Sequence, residues 1–65
     1  MNETIRPDSS MIQAYAWDPE SQELEVVFVK GGTYSYSGVP EHVFEAMKQA
    51  PSVGRFFLAE IKGQY

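Results

Sequence analysis

Ten consecutive residues, Gly31-Gly32-Thr33-Tyr34-Ser35-Tyr36-Ser37-Gly38-Val39-Pro40, restrict the fold of this chain more than any other stretch. Adjacent glycines supply the positive φ angles of a tight hairpin turn, because a residue without Cβ enters that region at no steric cost. Thr33 to Tyr36 then alternates polar and aromatic residues, and the two-residue period of a strand puts Tyr34 and Tyr36 on one face. Pro40 starts a helix, since its fixed φ suits the first turn and its missing N–H has no partner to lose there. A strand must therefore precede Gly31 and a helix must follow Pro40.

The flanks fit that frame. In Leu24 to Lys30 the strand period sets Leu24, Val26 and Phe28 on a core face, and Glu25, Val27 and Val29 on the other. Met11 to Trp17 is rich in β-favouring residues, has Tyr15 and Trp17 on one face, and stops at the turn-forming Asp18-Pro19-Glu20-Ser21. Beyond Pro40, the residues Val43, Phe44, Met47 and Ala50 mark an apolar helical stripe. Pro51 stops that helix because the residue before a proline avoids helical angles. Ser52 is placed to cap a second helix, along which Val53, Phe57 and Ile61 recur every four residues before Gly63 ends it. The fold class predicted is α+β: a three-stranded antiparallel β-meander followed by two short helices packed on one face, in the order β-β-β-α-α. The polar residues 1–9 read as a flexible N-terminal arm, and 10–65 as the domain.

A chain of 65 residues buries only about 60% of the surface its unfolded form exposes, so nearly every large apolar side chain is needed inside. There are no cysteines, which suits a reducing cytosol, and no run of ~18 apolar residues that would span a membrane. A cytoplasmic protein without a membrane partner is expected. Nine acidic against five basic residues give a net charge of −4, which disfavours strong nonspecific binding to phosphate backbones. Lys48, Arg55 and Lys62 nevertheless share the last third of the chain, whereas Glu20, Glu23 and Glu25 lie in the first half. Two ordinary solvated faces are the simpler account of this asymmetry, and a local basic face is the functional one.

The residues for catalysis are missing. His42 is the only histidine and reads as a polar residue in a first helical turn, with no thiol to activate. Zinc spacings are absent, and Glu20, Glu23 and Glu25 lack the glycine turn of a calcium loop. No lysine-serine helix start follows Gly31-Gly32, so that pair is a turn and not a phosphate cradle. A catalytic centre, a metal site and a cofactor are not expected.

The aromatic residues carry the functional signal. Tyr34 and Tyr36 on one strand face can form a platform for single-stranded bases, each stacked base being worth about 1–3 kcal/mol. The simpler reading makes both rings core, with their hydroxyls at the rim. Ser52, Gly54, Arg55 and Phe56 offer a second candidate: a capped helix start beside an arginine can hold a phosphate or carboxylate. The plainer reading makes Ser52 a cap, Gly54 a position where a side chain would clash with a neighbouring strand, and Phe56 an aromatic off the buried stripe.

Taken together, Ser9-Ser10-Met11-Ile12, Leu24 to Phe28, Gly31-Gly32-Thr33-Tyr34-Ser35-Tyr36, Val39-Pro40, Ala50-Pro51-Ser52-Val53-Gly54-Arg55-Phe56-Phe57 and Ile61-Lys62 resemble the KTSC domain. That family takes its name from a carboxy-terminal extension of some lysyl-tRNA synthetases and also occurs as small free-standing bacterial and phage proteins. The resemblance covers residues 9 to 65 and implies a domain of unknown activity for which RNA binding has been suggested. Val53 stands where the family often has a basic residue, and no basic tail follows Tyr65; both departures remove positive charge. Two functions are expected: a noncatalytic RNA- or tRNA-associated module using Lys48, Ser52, Gly54, Arg55, Phe56 and Lys62, or a protein-interaction or self-associating adaptor module using the Val27-Val29 face.

Overall fold

The computed structural model describes residues 4–65. Its elements run β1 (Thr4–Ile5), β2 (Ile12–Asp18), β3 (Glu23–Phe28), β4 (Thr33–Tyr36), α1 (Glu41–Gln49) and α2 (Val53–Phe56), and α2 continues into a π-helical turn over Phe57–Ile61. The strands form one antiparallel sheet in chain order. The α+β class with two helical segments after the sheet stands, but there are four strands and not three. Thr4 and Ile5, assigned by sequence to the arm, pair with Ala16 and Tyr15. Two residues are too few for a period to be read, and only the returning β2 supplies their partners. Residues 1–3 of the arm lie outside the described residues.

Side chains and backbone share the work of turning the chain. Ser9 Oγ accepts hydrogen bonds from the N–H groups of Met11 and Ile12, both at 3.1 Å, and so launches β2. β2 then carries a bulge, with Ile12 opposite Phe28 but Ala14 already opposite Val27. The extra residue, Gln13, shifts the strand phase by one, which lets Ile12, Tyr15 and Trp17 all join the core. Between β2 and β3, Asp18 Oδ1 accepts from the Glu20 N–H at 2.9 Å. Gln22 adopts φ 57°, a left-handed conformation uncommon for a residue with a Cβ. It is held there by its N–H on the Asp18 carbonyl at 2.7 Å and by its own carbonyl, which accepts from Val39 at 2.9 Å.

The β3–β4 turn is wider than the two-glycine hairpin predicted. Val27 pairs with Thr33, the Phe28 N–H reaches the Gly32 carbonyl at 3.0 Å, and of the two glycines only Gly32 takes a positive φ, 78°. The reason lies in the neighbouring strand: Phe28 stays paired to Ile12 and Val29 donates to the Met11 carbonyl at 3.0 Å, after pairing to β4 has stopped. Val29 and Lys30 consequently belong to the turn, and Val27 and Val29 do not share a strand face.

Pro40 sits one position earlier than expected, at the N-cap with ψ 159°, where its carbonyl accepts from Val43 at 3.1 Å and Phe44 at 3.3 Å. At the other end Ala50 takes the extended ψ of 138° that Pro51 imposes. α1 lowers Phe44 onto the sheet, stacked on Trp17 at 5.2 Å and 18° and edge-on to Tyr15 at 6.1 Å. The Trp17 Nε1–H donates to the Val39 carbonyl at 2.8 Å, so the indole is buried with its one polar group satisfied. Leu24, Val26, Met47 and Ile61 complete this core. Among the described residues no helix is long and apolar enough to cross a membrane.

Candidate functional site

Register dictates where the two tyrosines of β4 point. Tyr36 lies opposite Leu24 and Tyr34 opposite Val26, so both share the face on which the helices pack. The helices do not reach equally far. Tyr36 is half-buried under Phe57, at 5.5 Å and 71°, whereas Tyr34 is 56% exposed. The expectation that both are core is corrected for Tyr34: the π-helical turn ends its cover at Tyr36, and strand alternation cannot show where a helix stops. Phe28 joins the group, edge-on to Tyr34 at 5.5 Å and to Phe57 at 5.3 Å. Burial raises the Tyr36 phenol above its ordinary value, and the neighbouring Tyr34 phenol adds to the shift.

These rings form the floor of an open groove of about 740 Å³, within the ~300–1,000 Å³ of typical ligand sites. Met11 and Leu58 extend its apolar lining, and Lys30 and Lys62 supply its charge. No Asp or Glu lines it, although acids outnumber bases nine to five in the chain. The π-helical turn contributes directly. The Lys62 N–H bonds to the Phe57 carbonyl five residues back at 2.9 Å, and residues four apart share a face of a helical turn. Phe57 and Ile61 then both face the core, while Leu58 and Lys62 both line the groove.

The candidates chosen from sequence are divided. Ser52, Arg55 and Phe56 do come together in a second, shallower hollow of about 370 Å³, but Glu60 lines it too and puts a carboxylate beside any anion. There the Ser52 Oγ accepts from the Arg55 N–H at 3.3 Å, as a cap should. Phe56 is half-buried against the core. Gly54 is buried against Ser9 and Met11; a Cβ there would meet Met11 Cε at 3.5 Å and Ser9 Oγ at 3.6 Å, ordinary contact, so the clash expected from sequence is corrected. Lys48 is engaged on α1, with Nζ 2.9 Å from Glu45 and 4.8 Å above the Phe44 ring. Lys62 alone of these candidates reaches the aromatic groove.

Sequence reasoning passed over Lys30, Phe28 and Leu58. Lys30 had a readable signal, a cation at the end of a strand beside the Gly31-Gly32 turn. Leu58 had another, as an apolar residue off the four-residue stripe of Val53, Phe57 and Ile61. Phe28 had none, because its alternation assigned it to the core. Among the described residues, no cluster of three or more His, Cys, Asp or Glu could hold a metal ion, and His42 is exposed on the first turn of α1.

A four-stranded antiparallel sheet with helices on one face and an open aromatic groove at its uncovered end defines a small α+β domain. The chain belongs to the KTSC domain family, whose model matches residues 8–65. It is similar to a KTSC domain protein from Yersinia pestis with a TM-score of 0.93 at 39% identity, over 98% of this chain and 90% of that one. An uncharacterized protein of Stutzerimonas stutzeri is 42% identical over 88% of this chain and 80% of its own length. A lysine–tRNA ligase of a Nostoc species is 41% identical over 94% of this chain, which spans only 11% of that enzyme.

Proposed function

We propose that this chain is a small noncatalytic binding module whose ligand is RNA, taken in the groove floored by Phe28, Tyr34, Tyr36 and Phe57. The observation that carries the reading is the composition of that groove: four aromatic rings with two lysines and no carboxylate, in a chain of net charge −4. Rings give planar bases a surface, and lysines give phosphates a counter-charge. Similarity to part of lysine–tRNA ligases, whose name places them with tRNA, supports the same reading and a cytoplasmic setting. Exposed His42 offers no buried, oriented acid–base group, which favours binding over catalysis.

The test is a titration of the ¹⁵N-labelled protein with tRNA or single-stranded RNA. Amide shifts are expected at Lys30, Tyr34, Tyr36 and Lys62, weakening as salt rises; an unchanged spectrum at low salt overturns the reading. Leu58, 51% exposed beside the groove, favours a second reading, in which a peptide side chain fills the apolar lining and the domain is a protein-interaction module.

A further inference from the structure

Resting on that RNA reading, we infer that the groove accepts an unpaired nucleotide, its base stacked on Tyr34 and its flanking phosphates neutralised by Lys30 and Lys62. Tyr34 is the one aromatic of the β4 face left more than half open to solvent. It is also braced, paired opposite Val26 in the sheet and set edge-on against Phe28. Leu58 offers an apolar surface within the same groove.

Charge selects among ligands that like aromatic surfaces. A methylated ammonium would suit rings alone, but Lys30 and Lys62 repel a cation. An inorganic phosphate would suit the lysines, yet both are exposed and most of the lining is apolar, leaving the larger part of the groove unused. A ligand that is planar and anionic together satisfies both halves. Duplex RNA does not, because its base faces are occupied by one another and only edges and phosphates are open; unpaired bases can be splayed onto a ring.

Fluorescence anisotropy of a labelled single-stranded RNA oligomer, and of the blunt duplex formed with its complement, tests this with wild type, Tyr34→Ala, Tyr34→Phe and Lys30→Glu/Lys62→Glu. The single strand is expected to bind more tightly than the duplex. Tyr34→Ala is expected to weaken single-strand affinity about 5- to 150-fold, the range of one stacked base, and Tyr34→Phe, which keeps the ring, to stay within about twofold of wild type. The double charge reversal is expected to flatten the slope of log affinity against log salt by about 0.7 for each phosphate that is no longer neutralised. All three substituted residues have exposed side chains, and circular dichroism checks that each variant is folded. Single-strand binding that survives Tyr34→Ala, or equal affinity for the duplex, overturns the stacked-nucleotide inference while leaving RNA as the ligand. Failure of wild type to bind either RNA overturns the parent reading itself.

Discussion

The two ends of one sheet face use the same kinds of side chain to opposite effect. Under α1, the rings of Tyr15, Trp17 and Phe44 are 2%, 9% and 8% exposed, and the indole N–H is satisfied by the Val39 carbonyl. Toward the β3–β4 turn, Phe28, Tyr34, Tyr36 and Phe57 also touch edge-to-face, but Tyr34 is 56% exposed. Aromatic content therefore does not distinguish closed core from open groove in this domain. What distinguishes them is the length of the helical cover, a three-dimensional property that the strand pattern does not carry.

The sharpest way to break this comparison is at the closed end. Phe44→Ala is expected to cost about 3–5 kcal/mol, most of the ~5 kcal/mol available to a marginal small domain, and to leave the chain largely unfolded in urea or thermal melts. A loss below about 1 kcal/mol would mean that the closed end is not the stabilising core. At the open end, Tyr34→Ala is expected to cost about 1 kcal/mol or less, the value of one exposed cross-strand aromatic contact. A loss matching that of Phe44→Ala would erase the distinction.

The smallest effect separates the ends by pH. Burial raises the Tyr15 phenol above the ordinary value of 10.0. The folded state thus holds its proton to higher pH than the unfolded one, and the stability this contributes is complete below about pH 10 and lost as pH climbs through the folded value. Tyr15→Phe is expected to leave neutral-pH stability nearly unchanged and to reduce the alkaline loss, leaving the part due to Tyr36, which is also raised. An alkaline melting profile identical to wild type would show that Tyr15 contributes nothing to it.

Much of this was legible because local rules decide it. Pro51 forced Ala50 into an extended conformation wherever the helix packed, and Ser52 capped its own helix from within four residues. The failures had nonlocal causes. β1 was invisible because its partners lie about ten residues on, in β2. The alternation that puts Val29 on a strand face fails because Met11 captures its N–H. The helix start around Arg55 and Phe56 is a local motif that the sequence displays, whereas Lys30 and Lys62, half the chain apart, line one groove only because the β3–β4 turn and the π-helical turn meet there.

By itself the sequence determined the α+β class, the meander order, the first helix's start to within one residue of Pro40 and its end before Pro51, and the family, since each rests on spacings of a few residues or on a motif read along the chain. The tertiary structure alone decided that a fourth strand forms, that Gln13 bulges to bring Ile12 into phase with Tyr15 and Trp17, and that Tyr34 remains open while Tyr15 does not. Those outcomes depend on how far one element extends over another, and burial is set by that overlap and not by a residue's chain neighbours.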